Sequence, residues 1–133
     1  MIFFGYWVPK FKSNHKMSTA NNDAPAMAKP SISLIHHVFF WLNHPESEAD
    51  KNALLAGLNT LRAIPTIQRM HVGVLASTEK RDVVDTSWDV SEIMFFEDAA
   101  GQKVYQDHPL HMEFVKNCSH LWKKVTVYDA QDV

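Results

Sequence analysis

Tyr105, His108 and His111 lie in the stretch VYQDHPLHMEF (104–114), each three residues from the next. Side chains three apart on a helix share a side, so the three can meet in one pocket although Pro109 interrupts the run. Two kinds of chemistry suit them. In the first, a neutral imidazole takes a proton while a phenol donates a hydrogen bond to a carbonyl oxygen, the pairing used for enolisation or an aldol-type closure. In the second, His37, His108 and His111 supply three nitrogens to a metal ion. The metal reading is the weaker, because HPxH is no zinc signature and no Asp or Glu stands at a familiar motif spacing. The acid/base reading gains from the place of His111 in the first turn of a helix. There the positive end of the helix dipole disfavours the imidazolium by about 0.3–1 kcal/mol.

Each of these residues also has a structural explanation. His108 before a proline reads as a helix-start residue whose ring bonds nearby backbone. His111 on an apolar face reads as a core histidine with its polar needs met, and Tyr105 as a core filler with its hydroxyl at the rim. Cys118 has no basic neighbour at i±3 or i±4 and reads as a small hydrophobe rather than a nucleophile. His37 shares an alternating set with Phe39 and is expected to face the pocket from a strand. His36, on the opposite set, is expected to pack under a helix. His44, His71 and His120 fall beside turns or strand edges and carry no signal.

The elements that would position these residues follow from periodicity. SLIHHVFFWL (33–42) is rich in β-branched and aromatic residues, and both of its alternating sets are mostly apolar, which predicts a strand covered on two faces. Ser47, three residues before Asp50, resembles a capping box. Glu46, Glu48 and Asp50 suit a helix start and Pro65 marks the stop. Leu54, Leu58 and Leu61 form a core-facing stripe. Strands are predicted at 67–76, 88–96 and 121–130, with apolar Val90, Ile93, Phe95 and Phe96 in the second of these. A short helix is predicted at 97–107, and His108-Pro109 opens another, since proline suits the first helical position. The polar segment 77–87 is about twice the commonest hairpin-loop length and is placed to close over a site.

The order β-α-β-β-α-β is the ferredoxin-like α+β pattern, with a four-stranded antiparallel sheet. Helices on one face leave the other in need of cover. With Ile35, Phe39 and Trp41 assigned to that second face, the exposed apolar patch predicts a homodimer whose sheets face each other and close a barrel.

Composition narrows the rest. A chain of 133 residues with 46% apolar content supports one compact domain. A net charge of -2 without a Lys/Arg cluster gives no footprint for nucleic acid. The single cysteine rules out an intrachain disulfide and fits a reducing cytoplasm. No apolar run approaches the roughly 20 residues needed to span a bilayer. Residues 1–32 read as an unassigned flexible leader or the product of a start codon placed too early, because Met17 and Met27 lie downstream. The apolar MIFFGYWV lacks the order of a secretory signal.

HHVFFWL, RDVVDTSWDVSEIMFFED and above all VYQDHPLHMEFV, in this order, resemble the stress-responsive A/B barrel (Dabb) family of dimeric α+β barrels. The resemblance covers about residues 33–129 and implies a homodimer with a small cavity between sheet and helices. One branch, plant polyketide cyclases that make olivetolic acid, uses a Tyr and a His for a cofactor-free aldol cyclisation. The resemblance places these at Tyr105 and His111, with a pocket histidine at His37. Asp89 stands where that branch carries a histidine, and the 77–87 loop would shape a different mouth.

The expectation is a domain over 33–130 with a mainly apolar cavity lined by His37, Phe39, Phe95, Tyr105 and His111. His111 would be the base and Tyr105 the hydrogen-bond donor. His37, Phe39, Phe95 and His108 would be binding residues, with no cofactor or metal. The ligand would be a small apolar, aromatic or polyketide-like molecule. A non-catalytic stress-associated dimer and a cofactor-free monooxygenase are the alternatives, so enzyme and binding protein both remain open from sequence.

Overall fold

The computed structural model describes residues 32–133; the leader expectation, Ile32 aside, lies outside the described residues. Strand β1 (Leu34–Leu42) alternates between buried and half-buried positions along its whole length, as two apolar sets of unequal cover would require. Helix α1 (Glu48–Thr60) starts where Ser47 Oγ accepts from the Asp50 amide at 3.1 Å. It tightens into a 3-10 turn at Leu61–Ala63 just ahead of Pro65. Leu54, Leu58 and Leu61 are fully buried, so the predicted stripe is the core face of this helix.

Strands β2 (Arg69–Val74) and β3 (Val90–Phe96) follow, then helices α2 (Ala99–Asp107) and α3 (Pro109–Cys118), a 3-10 turn at Ser119–Leu121, and β4 (Trp122–Gln131). Every pairing is antiparallel and the strand order is β2-β3-β1-β4. This is the ferredoxin-like α+β fold the element order predicts, with its second helix divided by Pro109. No helix among the described residues is long and apolar enough to cross a membrane.

The helices cover one sheet face. That inner face carries Leu34, His36, Val38, Phe40 and Leu42 of β1, all buried, and Val90, Glu92, Met94 and Phe96 of β3, also buried. The outer face carries half-buried Ile35, His37, Phe39 and Trp41 of β1, Ile93 and Phe95 of β3, and Tyr128 of β4, which is 64% exposed. Lys124 Nζ lies over the Trp41 ring at 4.4 Å and the Arg69 guanidinium over Phe95 at 5.4 Å. The apolar outer face is therefore edged by cations.

Between α1 and α3 the backbones approach closely at Gly57, where an added Cβ would stand 2.5 Å from Cys118 Sγ and 3.3 Å from Phe114 Cδ1. Only a residue without a side chain lets the two helices touch there. Cys118 is buried at this contact, and burial pushes its thiol pKa up. The thiol therefore packs as a small apolar group.

Candidate functional site

A cavity of about 200 Å³ opens between the inner sheet face and helices α2 and α3. Its apolar walls come from Val38, Phe40, Phe114 and Trp122, and its polar side from His36, Glu92, Tyr105 and His111. Gln106, Val115, Val125 and Val127 also line it and are exposed, which sets the mouth between the β4 edge and the two helices.

Helix geometry delivers Tyr105 and His111. Tyr105 sits in the last turns of α2 and is 2% exposed. His111 is the third residue of α3, and the two rings lie 4.8 Å apart across the junction. The junction is set by His108, whose Nδ1 accepts from the Leu110 amide at 3.0 Å and caps α3 ahead of Pro109. Through that cap a chain break becomes a corner that turns two helical residues toward one space.

His111 Nδ1 lies 3.1 Å from the Gln106 carbonyl oxygen. A carbonyl only accepts, so Nδ1 carries the proton and the Nε2 lone pair is free. Burial lowers the pKa of His111 below the usual histidine value, with the Gln106 carbonyl acting in the opposite direction and His36 adding to the lowering. The ring is thus a neutral base at the cavity wall.

Strand pleating supplies the other groups. His36, 6% exposed, points inward from β1, and its Nδ1 lies 2.6 Å from Asp129 Oδ1 on the paired strand β4. The carboxylate orients the ring and fixes the proton at Nδ1. Glu92 of β3 is 2% exposed. The Tyr105 hydroxyl donates to its Oε2 at 3.4 Å, long for an O–H···O bond, and Oε1 has no partner among the described residues. Desolvation raises the carboxyl pKa to about 8 against the weaker opposing effect of the phenol. The same burial, with the Glu92 carboxylate beside it, raises the pKa of Tyr105, so the phenol keeps its proton.

Four of the expected pocket residues lie elsewhere. His37, Phe39 and Phe95 belong to the outer sheet face, since alternation sends them away from the helices, and His36 takes the cavity position expected of His37. His37 instead stacks on Phe39 at 4.2 Å. Burial lowers its pKa, and His71 and His36 lower it further. His108 is a cap rather than a lining residue. The three nitrogens of the metal reading therefore do not converge. The 77–87 segment lines none of the cavity; Ser87 Oγ accepts from Trp41 Nε1 at 3.2 Å and Trp88 packs on Phe39, both on the outer face. Asp89 accepts from the Leu42 amide at 2.8 Å, closing the end of the β1–β3 pair.

Glu92 and the His36–Asp129 pair were not expected as site residues. Glu92 had a signal: it stands between Val90 and Met94 on an otherwise apolar alternating set that ends at Phe96. The pairing of His36 with Asp129, 93 residues apart, leaves no local trace in the sequence.

A sheet covered on one side by helices, with a cavity and titratable side chains between the layers, makes this a ferredoxin-like α+β protein. The stress responsive A/B barrel domain matches residues 34–132, and the chain belongs to that family.

Among solved structures, it is similar to a Dabb family protein with a ferredoxin-like fold from Mesorhizobium loti. That match has 23% identity and a TM-score of 0.63, covering 77% of this chain and 98% of that one. It is also similar to a dimeric ferredoxin-like protein of unknown function from Thermobifida fusca, at 16% identity and TM-score 0.63, covering 81% and 98%. A hydroxynitrile lyase from Passiflora edulis superposes with TM-score 0.64 at 18% identity, covering 78% and 96%. At these identities the likeness is one of fold. No curated protein matches the chain.

Proposed function

We propose that the chain forms a homodimer through its outer sheet face and binds a small, mainly apolar or aromatic molecule in the cavity, where it carries out cofactor-free acid/base chemistry. The dimer reading rests on the aromatic outer face with its cationic edge, the apolar-centre and polar-rim pattern of protein interfaces, and on the dimeric state of the Thermobifida fusca neighbour. The observation that carries the ligand reading is the neutral His111 ring facing an apolar cavity beside Tyr105 and Glu92.

The chemistry is a proton abstraction next to a carbonyl. His111 Nε2 takes the proton, the C–H electron pair moves toward the carbonyl carbon, and the carbonyl oxygen takes up the charge. A hydrogen-bond donor on the polar side of the cavity holds that oxygen, and the aromatic walls exclude water.

Thermal-shift measurements with small aromatic acids and polyketide-like lactones, on wild type and His111→Ala, test this reading. A ligand at 100 times its dissociation constant adds about 2.7 kcal/mol of apparent stability. A wild-type shift absent from a folded His111→Ala variant supports the site. If no compound shifts the wild type and His111→Ala melts early, His111 is part of the helix junction and the protein is a non-catalytic dimer.

A further inference from the structure

Glu92 is a polar side chain in a place built for an apolar one. On the inner face it pairs with Val72 of β2 and Val38 of β1, and Val38 in turn pairs with Val127 of β4. A valine at position 92 would complete a row of four. The buried carboxyl has one loose contact, from the Tyr105 hydroxyl, and its Oε1 is unpartnered among the described residues. Leaving a buried polar atom unpaired costs stability, and departures of this kind are expected at functional sites.

The phenol decides what that partner is. Tyr105 donates to Oε2, so Oε2 is the acceptor oxygen of the acid and the acid proton belongs on Oε1. A neutral carboxylic acid in this arrangement keeps one O–H to donate, on a side chain that lines the cavity. We propose that Glu92 is a substrate-contacting residue that selects a carbonyl oxygen, so that the cavity takes a small ketone, aldehyde or lactone in preference to a hydrocarbon of the same shape.

This rests on the cavity being a ligand site and names both the class of ligand and the atom that reads it. Tyr105 is then a positioning residue, which places the acid proton by occupying the other oxygen. The pKa of about 8 agrees, since it keeps the carboxyl protonated at neutral pH. A buried donor of this kind distinguishes ligands sharply, because the hydrocarbon leaves the O–H unpaired.

The test uses two probes of one shape, acetophenone and α-methylstyrene, in which a C=CH₂ group replaces the C=O. Their affinities for the full chain are measured by calorimetry in wild type, Glu92→Val and Glu92→Gln. Wild type is expected to favour acetophenone by about tenfold or more, a difference of about 1.4 kcal/mol. Glu92→Val should lose the preference, and Glu92→Gln, whose amide still offers an N–H, should keep part of it.

Infrared spectra of wild type with isotope-labelled acetophenone give a readout that needs no variant. The ligand's carbonyl stretch should fall relative to its value in an apolar solvent. Equal binding of both probes to wild type, or an unshifted carbonyl stretch, overturns the assignment while leaving the cavity a ligand site. A preference that persists in Glu92→Val overturns it in favour of another donor. Binding of neither probe overturns both the assignment and the ligand reading beneath it.

Discussion

The Tyr105 hydroxyl reaches Glu92 Oε2 at 3.4 Å, so the most deeply buried carboxyl on the inner sheet face is held by a single long hydrogen bond. A group in this state makes the fold respond to pH in a definite direction.

The Glu92 pKa of about 8 in the folded chain compares with an ordinary value of 4.5. Between those values the folded state keeps a proton that the unfolded state has released, so stability falls as pH rises. The slope contributed is at most about 1.4 kcal/mol per pH unit. Below the lower value both states are protonated and the contribution is flat. Glu92→Val should remove this slope and raise stability at neutral pH by about 1–4 kcal/mol. Urea denaturation of both proteins across a pH series reads it; identical slopes would show that Glu92 titrates as an exposed carboxyl does.

His108 and His111 should separate cleanly. Removing the cap with His108→Ala should cost about 0.5–2 kcal/mol of stability and weaken any cavity ligand less than His111→Ala does, because it loosens the junction without removing a lining side chain. His111→Ala should abolish the ligand response. In an NMR titration the His111 ring should protonate below the usual histidine pH, because its burial favours the neutral form. Its own contribution to stability is present above that usual value and declines as the pH falls below it. A His111 that titrates at or above the ordinary value would refute the neutral-base assignment.

Alanine in place of glycine inside a helix ordinarily stabilises by about 1 kcal/mol. At Gly57 the sign should reverse, since the new methyl meets Cys118 Sγ and the Phe114 ring. A loss of about 1–3 kcal/mol is expected from overpacking, and Gly57→Ala combined with Cys118→Ala should recover part of it. Chemical denaturation of the two single variants and the double variant measures the coupling. Strict additivity would mean that the helices separate at no cost.

Phe39 lies at the centre of the outer-face aromatics, against His37, Trp88 and Tyr128. Phe39→Asp places a charge in the proposed dimer interface and should yield a folded monomer by light scattering with unchanged far-UV circular dichroism. A wild-type protein that is already monomeric would remove the dimer from the proposed function.

Much of the architecture is legible in the chain because its signals are local. Ser47 and Pro65 bracket the first helix, Pro109 divides the second, and Leu54, Leu58 and Leu61 mark a core stripe that the fold buries completely. The cavity was harder to place, for a physical reason. Both alternating sets of β1 are apolar, so periodicity alone leaves their roles open. His36 lies under the helices and Ile35, Phe39 and Trp41 on the far face, as expected, but the expected cavity also draws His37 and Phe39 from that far face. The fold gives the cavity to His36 instead of His37. Glu92 stands out only when the two faces of β3 are separated, with Val90, Met94 and Phe96 beside it and Ile93 and Phe95 opposite. The partner of His36 lies on the last strand, out of reach of any spacing rule. Tyr105 and His111 were legible because helical spacing brought them together across a single proline.

Strand β1 carries two sets of side chains that can change independently. Its even-numbered residues from Leu34 to Leu42 face the helices and the cavity, and its odd-numbered residues face the opposite surface. Two kinds of contact therefore depend on interleaved positions of one segment. Substitutions at His36, Val38 or Phe40 alter what the interior accepts, whereas those at Ile35, His37 or Phe39 alter what the exterior meets. With the proposed ligand on one side and the proposed partner on the other, either contact can be altered without the other. A one-residue insertion in β1 would exchange the two roles at a stroke.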